Sequence, residues 1–179
     1  HPRRLFEVLS ECGALARLLP ELRPDETLYA ALARAAQERA PLTVRFALLV
    51  WPLDEQAAGA LCARLRAPNE VKELALATCR CREPIRGADR AGPAALLETL
   101  KRADALRRGE RFGELLAVAR FAEPGAPIAL AIERLQGALE AARGVDAAAL
   151  AKAAASPAEI PARLDRAREQ AIAAALAQD

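Results

Sequence analysis

Two groups of basic side chains are the chemistry-bearing feature of this 179-residue chain. Arg80, Arg82, Arg86 and Arg90 are followed by Lys101, Arg102, Arg107, Arg108 and Arg111, facing Glu83, Asp89, Glu98, Asp104 and Glu110. The local excess is four positive charges, nine minus five. Guanidinium forks match phosphate oxygens, and contacts to a phosphate backbone give shape-directed, sequence-tolerant binding. A second group, Lys152, Arg163 and Arg166, lies near the end of the chain, with Arg163 and Arg166 on one flank of a helix. The competing reading is a solvated helical surface laced with i,i+4 ion pairs. The preponderance of arginine over lysine fits a GC-rich coding bias as well as it fits phosphate recognition.

Other reactive side chains are sparse. The four cysteines are Cys12, Cys62, Cys79 and Cys81, with no Cys-x-x-Cys pair, and His1 is the one histidine, too few ligands for a structural zinc site. Two residues apart on a helix, Cys79 and Cys81 point about 200° apart. Cys12 and Cys62 fall in apolar helical patterns and read as reduced core thiols. Trp51 could stack on a base, but its place in an apolar helix makes it a core residue.

The elements that must position these side chains are helices. Hydrophobic residues make up 53% and aromatics 3%, with Ala, Leu, Arg and Glu prominent and β-branched residues few, which predicts an all-α fold. Leu5, Phe6, Val8, Leu9, Cys12, Leu15, Leu18 and Leu19 predict one helix stopping at Pro20. Asp25 is a predicted N-cap for a helix to Ala40, and Thr43–Trp51 forms a short apolar, central one. Asp54 caps the next. Pro68-Asn69 opens another, with Val71, Leu74, Ala75 and Thr78 inward. Residues 83–93, with two prolines and two glycines, read as a loop. Further helices are expected over 94–107, 110–122 and 128–142, then a short one after Asp146. A last one has Ser156 as N-cap, Pro157 at its first position and Glu159 closing a capping box, with Ile160, Leu164, Ala167 and Ala171 as its apolar stripe. The segment 123–127 marks a boundary between a multi-helix bundle over 1–122 and a helical tail over 123–179.

Net charge is +2 and pI near 8.5, so nucleic-acid affinity would come from local clustering rather than a global field. No apolar stretch approaches the ~20 residues of a membrane span, and no signal segment opens the chain. The expectation is a cytoplasmic protein that binds no membrane. The chain lacks methionine and starts at His1, as a processed chain or fragment would.

Cys12-Gly13-Ala14-Leu15 with Leu18-Leu19-Pro20-Glu21, the run Val44–Leu49, and Arg64-Leu65-Arg66-Ala67-Pro68-Asn69-Glu70 resemble the C-terminal half of bacterial CCA-adding tRNA nucleotidyltransferases that carry an HD-type phosphohydrolase domain. The resemblance implies neck, body and tail helices that hold the tRNA acceptor arm for an N-terminal nucleotidyltransferase head of the same polypeptide. That head needs a Gly-Ser loop and an Asp-x-Asp pair for Mg²⁺. Neither occurs here, so this chain carries no catalytic residues for nucleotidyl transfer and no cofactor of its own. Mg²⁺ belongs to the expected head. By the same resemblance the phosphohydrolase ligands fall on Glu26, Trp51 and Pro52, its histidine-rich loop is missing, and Asp104 alone keeps a ligand position. Trp and Pro offer no metal-binding atom, so the implied fold is a degenerate HD bundle without a metal. Asp104 otherwise reads as a helix residue pairing with Arg107 or Arg108.

Two functions follow. The first is a tRNA-positioning region that grips RNA phosphates through Arg80, Arg82, Arg86, Arg102, Arg107, Arg108, Lys152, Arg163 and Arg166. The second is an inactive helical module that binds a protein partner or a second copy of itself.

Overall fold

A computed structural model describes residues 2–152 and 156–177, so His1 lies outside the described residues. Among them are eleven α-helices, two short 3-10 turns and no strand, as the helix-forming composition predicts. Contacts divide the chain into two units, one of His1–Arg82 with Gly113–Gly125 and one of Glu83–Phe112 with Ala126–Asp179.

In the first unit the expected opening helix is two, α1 (Pro2–Glu11) and α2 (Ala14–Leu18). Gly13 lies between them at φ 70°, a left-handed conformation that glycine adopts without steric cost. The break turns Cys12 to solvent, so Cys12 is an exposed thiol and not the expected core residue. Phe6 of α1 is buried, with its ring 5.9 Å from that of Tyr29 on α3 (Glu26–Gln37).

Aspartate caps set the next starts. The Asp25 carboxylate accepts from the Leu28 N–H at 2.8 Å, and Asp54 does the same for Ala57 at 2.7 Å, opening α5 (Glu55–Arg64). Each such cap contributes about 1 kcal/mol. Between them runs α4 (Leu42–Val50), which buries Val44, Ala47, Leu48 and Val50 but leaves Leu42 exposed, so it is central on one side only.

Helix α6 (Asn69–Arg86) buries Val71, Leu74, Ala75 and Thr78 as expected, and the Thr78 hydroxyl donates to the Leu74 carbonyl at 2.8 Å. It then continues through Pro84, followed by a 3-10 turn at Gly87–Asp89, where the sequence reads as a loop. An internal proline forfeits a hydrogen bond and crowds the carbonyl four residues back, at about 3 kcal/mol. Burial of Cys81, Ile85 and Ala88, each fully enclosed on the same stripe, offsets that cost.

In the second unit, α7 (Pro93–Arg102) stops five residues earlier than expected, and α8 (Gly109–Ala122) begins after a corner at residues 103–108. Helix α9 (Ala126–Arg143) buries Ile128, Ala131, Leu135, Ala138, Leu139 and Ala142, a 3.6-residue stripe. Asp146 caps α10 (Ala147–Lys152), accepting from Ala148 and Ala149 at 3.0 and 2.9 Å. The predicted capping box at Ser156 does not form. Ser156 makes no side-chain cap, and residues 157–159 are a 3-10 turn leading into α11 (Ile160–Leu176). That helix packs on α7 and α9, and its buried anchor is Ile172, while the expected stripe residues Ile160, Leu164, Ala167 and Ala171 are only half-buried.

Three helices end alike. Beyond α3, α5 and α7, residues Arg39, Arg66 and Asp104 hold φ of 54°, 50° and 54°. The next N–H in each case reaches five residues back: Ala40 to Ala35 at 2.8 Å, Ala67 to Cys62 at 2.9 Å, Ala105 to Leu100 at 2.9 Å. These are Schellman closures built without the glycine such positions favour.

Candidate phosphate-binding surface

The basic side chains divide by what their guanidinium groups already do. Arg82 is half-buried and donates to the Trp51 and Leu53 carbonyls, the latter at 3.1 Å. One turn earlier on α6, the Cys79 thiol faces the Val50 carbonyl at 3.4 Å. Together they satisfy the carbonyl end of α4, where backbone oxygens lack helical partners and partial negative charge accumulates. Burial pushes the Cys79 thiol up to about 11, with Arg82 acting against the shift. Arg82 is thus committed to the fold.

Arg80 faces Glu55 at 3.5 Å, Arg86 pairs with Glu83 at 2.6 Å, and Arg102 stands 3.8 Å from Glu98. All three remain exposed. Exposed pairs of this kind contribute little, about 0–1 kcal/mol, so Arg80 and Arg102 remain open to exchange with phosphate oxygens. Arg107 and Lys152 are exposed and form no ion pair among the described residues. On α11, Arg163 is half-buried, and Arg166 is exposed with Nε directed at its own helix, 3.3 Å from the Ala162 carbonyl. Arg80 and Arg82 belong to the first unit and the remaining candidates to the second.

Lys101 and Arg111, also in the sequence cluster, are committed within the second unit. Lys101 bonds Asp165 at 2.8 Å, tying α7 to α11, and that hydrogen bond raises its pKa. Arg111 reaches the Ala103 carbonyl at 3.4 Å.

Four structural arginines escaped sequence reading. Arg134 donates to the Ala88 and Ala91 carbonyls at 3.0 and 2.6 Å, and Arg143 to Ala105 at 3.1 Å. Arg34 donates to Phe121 at 2.6 Å, and Arg64 forks onto Glu21, with one arm at 2.8 Å. That fork lowers the Glu21 pKa. Their partners lie 38 to 87 residues away, so no local spacing announces them.

Trp51, Glu26 and Asp104, on which the resemblance would place metal ligands, each have other partners. Trp51 is buried, and its Nε1 donates to Glu123 at 2.9 Å, which makes it the core residue the apolar run suggests. Beside Trp51 and Pro52 is a cleft of about 160 Å³ lined mainly by Leu22, Leu28, Ala31, Leu48 and Leu49. Glu26 pairs with Arg3. Asp104 is not helical but sits in the closure after α7, 3.5 Å from Arg108 and 3.7 Å from Arg111 rather than paired with Arg107. Among the described residues no three His, Cys, Asp or Glu side chains converge as a metal site would require, and no helix is long and apolar enough to cross a membrane.

The sequence is similar to curated proteins bearing the name Multifunctional CCA protein. That of Cupriavidus necator is 37% identical over 97% of this chain and 52% of its own length. The protein of Pseudomonas putida is 41% identical over 85% of this chain and 42% of its own, and that of Burkholderia pseudomallei 37% over 98% and 52%. The chain therefore spans about half the length of these relatives. The first and third alignments cover 217 residues against 179 here, so each of those relatives carries at least 38 without a counterpart. No family model matches the chain, and no solved structure matches it.

Proposed function

We propose that this chain, a homologue over nearly its whole length of about half of a Multifunctional CCA protein, is the C-terminal tRNA-positioning region of a CCA-adding tRNA nucleotidyltransferase. The observation that carries the reading is that lopsided coverage, nearly all of this chain against about half of each relative. A nucleotidyltransferase head in the same polypeptide would use CTP and ATP with Mg²⁺, and the body over 1–122 and tail over 123–179 would hold the acceptor arm, in the cytoplasm.

The chemistry of the second unit supports this role. Arg86, Arg102, Arg107, Arg108, Lys152 and Arg166 stay exposed, while Arg134 and Arg143 are spent on backbone carbonyls. Double-helical RNA is recognised mainly through backbone and groove shape, which suits such a surface. The phosphohydrolase is read as decayed into scaffold, because Trp51 and Pro52 supply no ligand atom and Trp51 serves the core instead.

The test is binding of the 179-residue chain to a tRNA acceptor-arm hairpin across a salt series. Affinity should fall steeply with salt, because each phosphate contact releases condensed counterions. Absence of binding at low salt would overturn the reading. One observation favours the interaction module instead: Leu5, Val8 and Leu18 expose apolar surface on α1 and α2. A dimer at micromolar concentration without RNA affinity would establish that alternative.

A further inference from the structure

We propose that Arg17, Arg66 and Lys72 form a further RNA-phosphate contact, at the corner where α5 turns into α6 beside the end of α2. The inference rests on the RNA-binding reading above and adds three residues that neither basic group of the sequence contains.

The run Arg64-Leu65-Arg66-Ala67-Pro68-Asn69-Glu70 closes α5 and opens α6. Arg64 is committed to the fold. It forks onto Glu21 and reaches the Leu18 carbonyl at 3.2 Å, holding the end of α2 against the end of α5. The same fork neutralises Glu21. Arg17 directly precedes Leu18 and so belongs to this corner. On the far side, the Ala67 N–H reaches the Cys62 carbonyl at 2.9 Å and the Lys72 N–H reaches the Pro68 carbonyl at 3.0 Å. Burial raises the pKa of the Cys62 thiol and the Lys72 ammonium opposes the rise, which sets that charge near the α5 closure. All these residues lie in the first unit.

Arg17, Arg66 and Lys72 are exposed, and none makes a side-chain hydrogen bond or ion pair among the described residues. Glu70 and Glu73 are the acids of the adjoining turn of α6, so the corner keeps an excess of one positive charge, three minus two. Arg66 carries a second observation. It holds φ 50°, a left-handed conformation in which a side chain costs steric energy that glycine escapes. No hydrogen bond or ion pair of its side chain within the described residues offsets that cost, and a backbone outlier of this kind points to a role beyond the fold. The competing account is the pull of the carbonyl end of α5 on a cation, which predicts an effect on stability alone. Two guanidinium forks and an ammonium suit phosphate oxygens, and contacts of this kind grip an RNA backbone without reading its sequence.

The test measures anisotropy of a labelled acceptor-arm hairpin with the 179-residue chain across a salt series. In about 50 mM salt, Arg66→Gly should bind about three- to tenfold more weakly, with a salt slope lower by about 0.7–0.9, although its denaturation midpoint holds or rises. Lys72→Gln, which leaves the backbone alone, should weaken binding alike, and adding Arg17→Gln should weaken it further. Glu70→Gln should tighten binding by about two- to threefold. Arg39→Gly removes the same charge and the same left-handed strain at the end of α3, and should change binding by less than about 1.5-fold. If wild type binds and Arg66→Gly and Lys72→Gln match it, or lose no more than Arg39→Gly, the contact is refuted. A fall in the Arg66→Gly midpoint with unchanged RNA affinity would assign the side chain to the fold and refute it as well. If wild type does not bind the hairpin, the RNA-binding reading itself fails.

Discussion

The indole Nε1 of Trp51 donates to a carboxylate oxygen of Glu123 across 2.9 Å, joining the residue just past α4 to the residue just past α8. The pair is thus part of how the first unit closes. Trp51→Phe replaces the indole with a smaller phenyl ring and removes the donor, and should cost about 2–4 kcal/mol in urea unfolding, from the lost hydrogen bond and the cavity left in the core, with RNA affinity unchanged. Unchanged stability together with weakened RNA binding would mean the indole stacks on a base instead.

Arginines in one sequence cluster should separate cleanly by function. Arg82→Ala removes the donor serving the Trp51 and Leu53 carbonyls and should destabilise the chain by about 1–3 kcal/mol. Arg107→Ala should leave stability within about 0.5 kcal/mol and lower the salt slope of RNA binding by about 0.7–0.9. Equal melting temperatures for the two variants would contradict the assignment.

The helix closures that lack glycine can be improved. Arg66 is exposed with φ 50°, and a left-handed L-residue costs roughly 1–2 kcal/mol. Glycine relieves that strain but loses about 0.5–1 kcal/mol through unfolded-chain entropy. Arg66→Gly should therefore raise stability by up to about 1 kcal/mol, read as a higher denaturation midpoint. A lower midpoint would show that the Arg66 side chain contributes more than the backbone strain costs.

Alkaline pH should weaken the fold through Cys79. Burial raises its pKa from the usual 9.0 to about 11, so the folded chain holds the thiol proton more tightly than the unfolded chain. Its contribution is complete below pH 9 and is lost as pH climbs toward 11. Cys79→Ala should flatten stability across that window, measured by chemical denaturation. At neutral pH an aromatic disulfide reagent should label exposed Cys12 quickly and the other three thiols only after denaturation.

How far this was legible follows from the range of each interaction. The all-α class, the caps at Asp25, Asp54 and Asp146 and the inward face of α6 depend on residues within about four positions of one another, which composition and periodicity report directly. Gly13 and residues 83–93 misled in opposite directions. A glycine inside an apolar helical pattern broke the helix, whereas Pro84 did not, because burial of Ile85 and Ala88 outweighs a lost hydrogen bond. The arginine cluster was visible from the sequence, but its division into structural and exposed members was not. Arg82 meets carbonyls about thirty residues away and Arg134 meets carbonyls over forty away, while Arg107 meets none among the described residues. The sequence by itself determined the all-α class, several helix starts and where positive charge would gather. Only tertiary packing decided which cations were drawn inward by unsatisfied helix ends, because a buried carbonyl must find a donor and the chain offers arginines from distant segments.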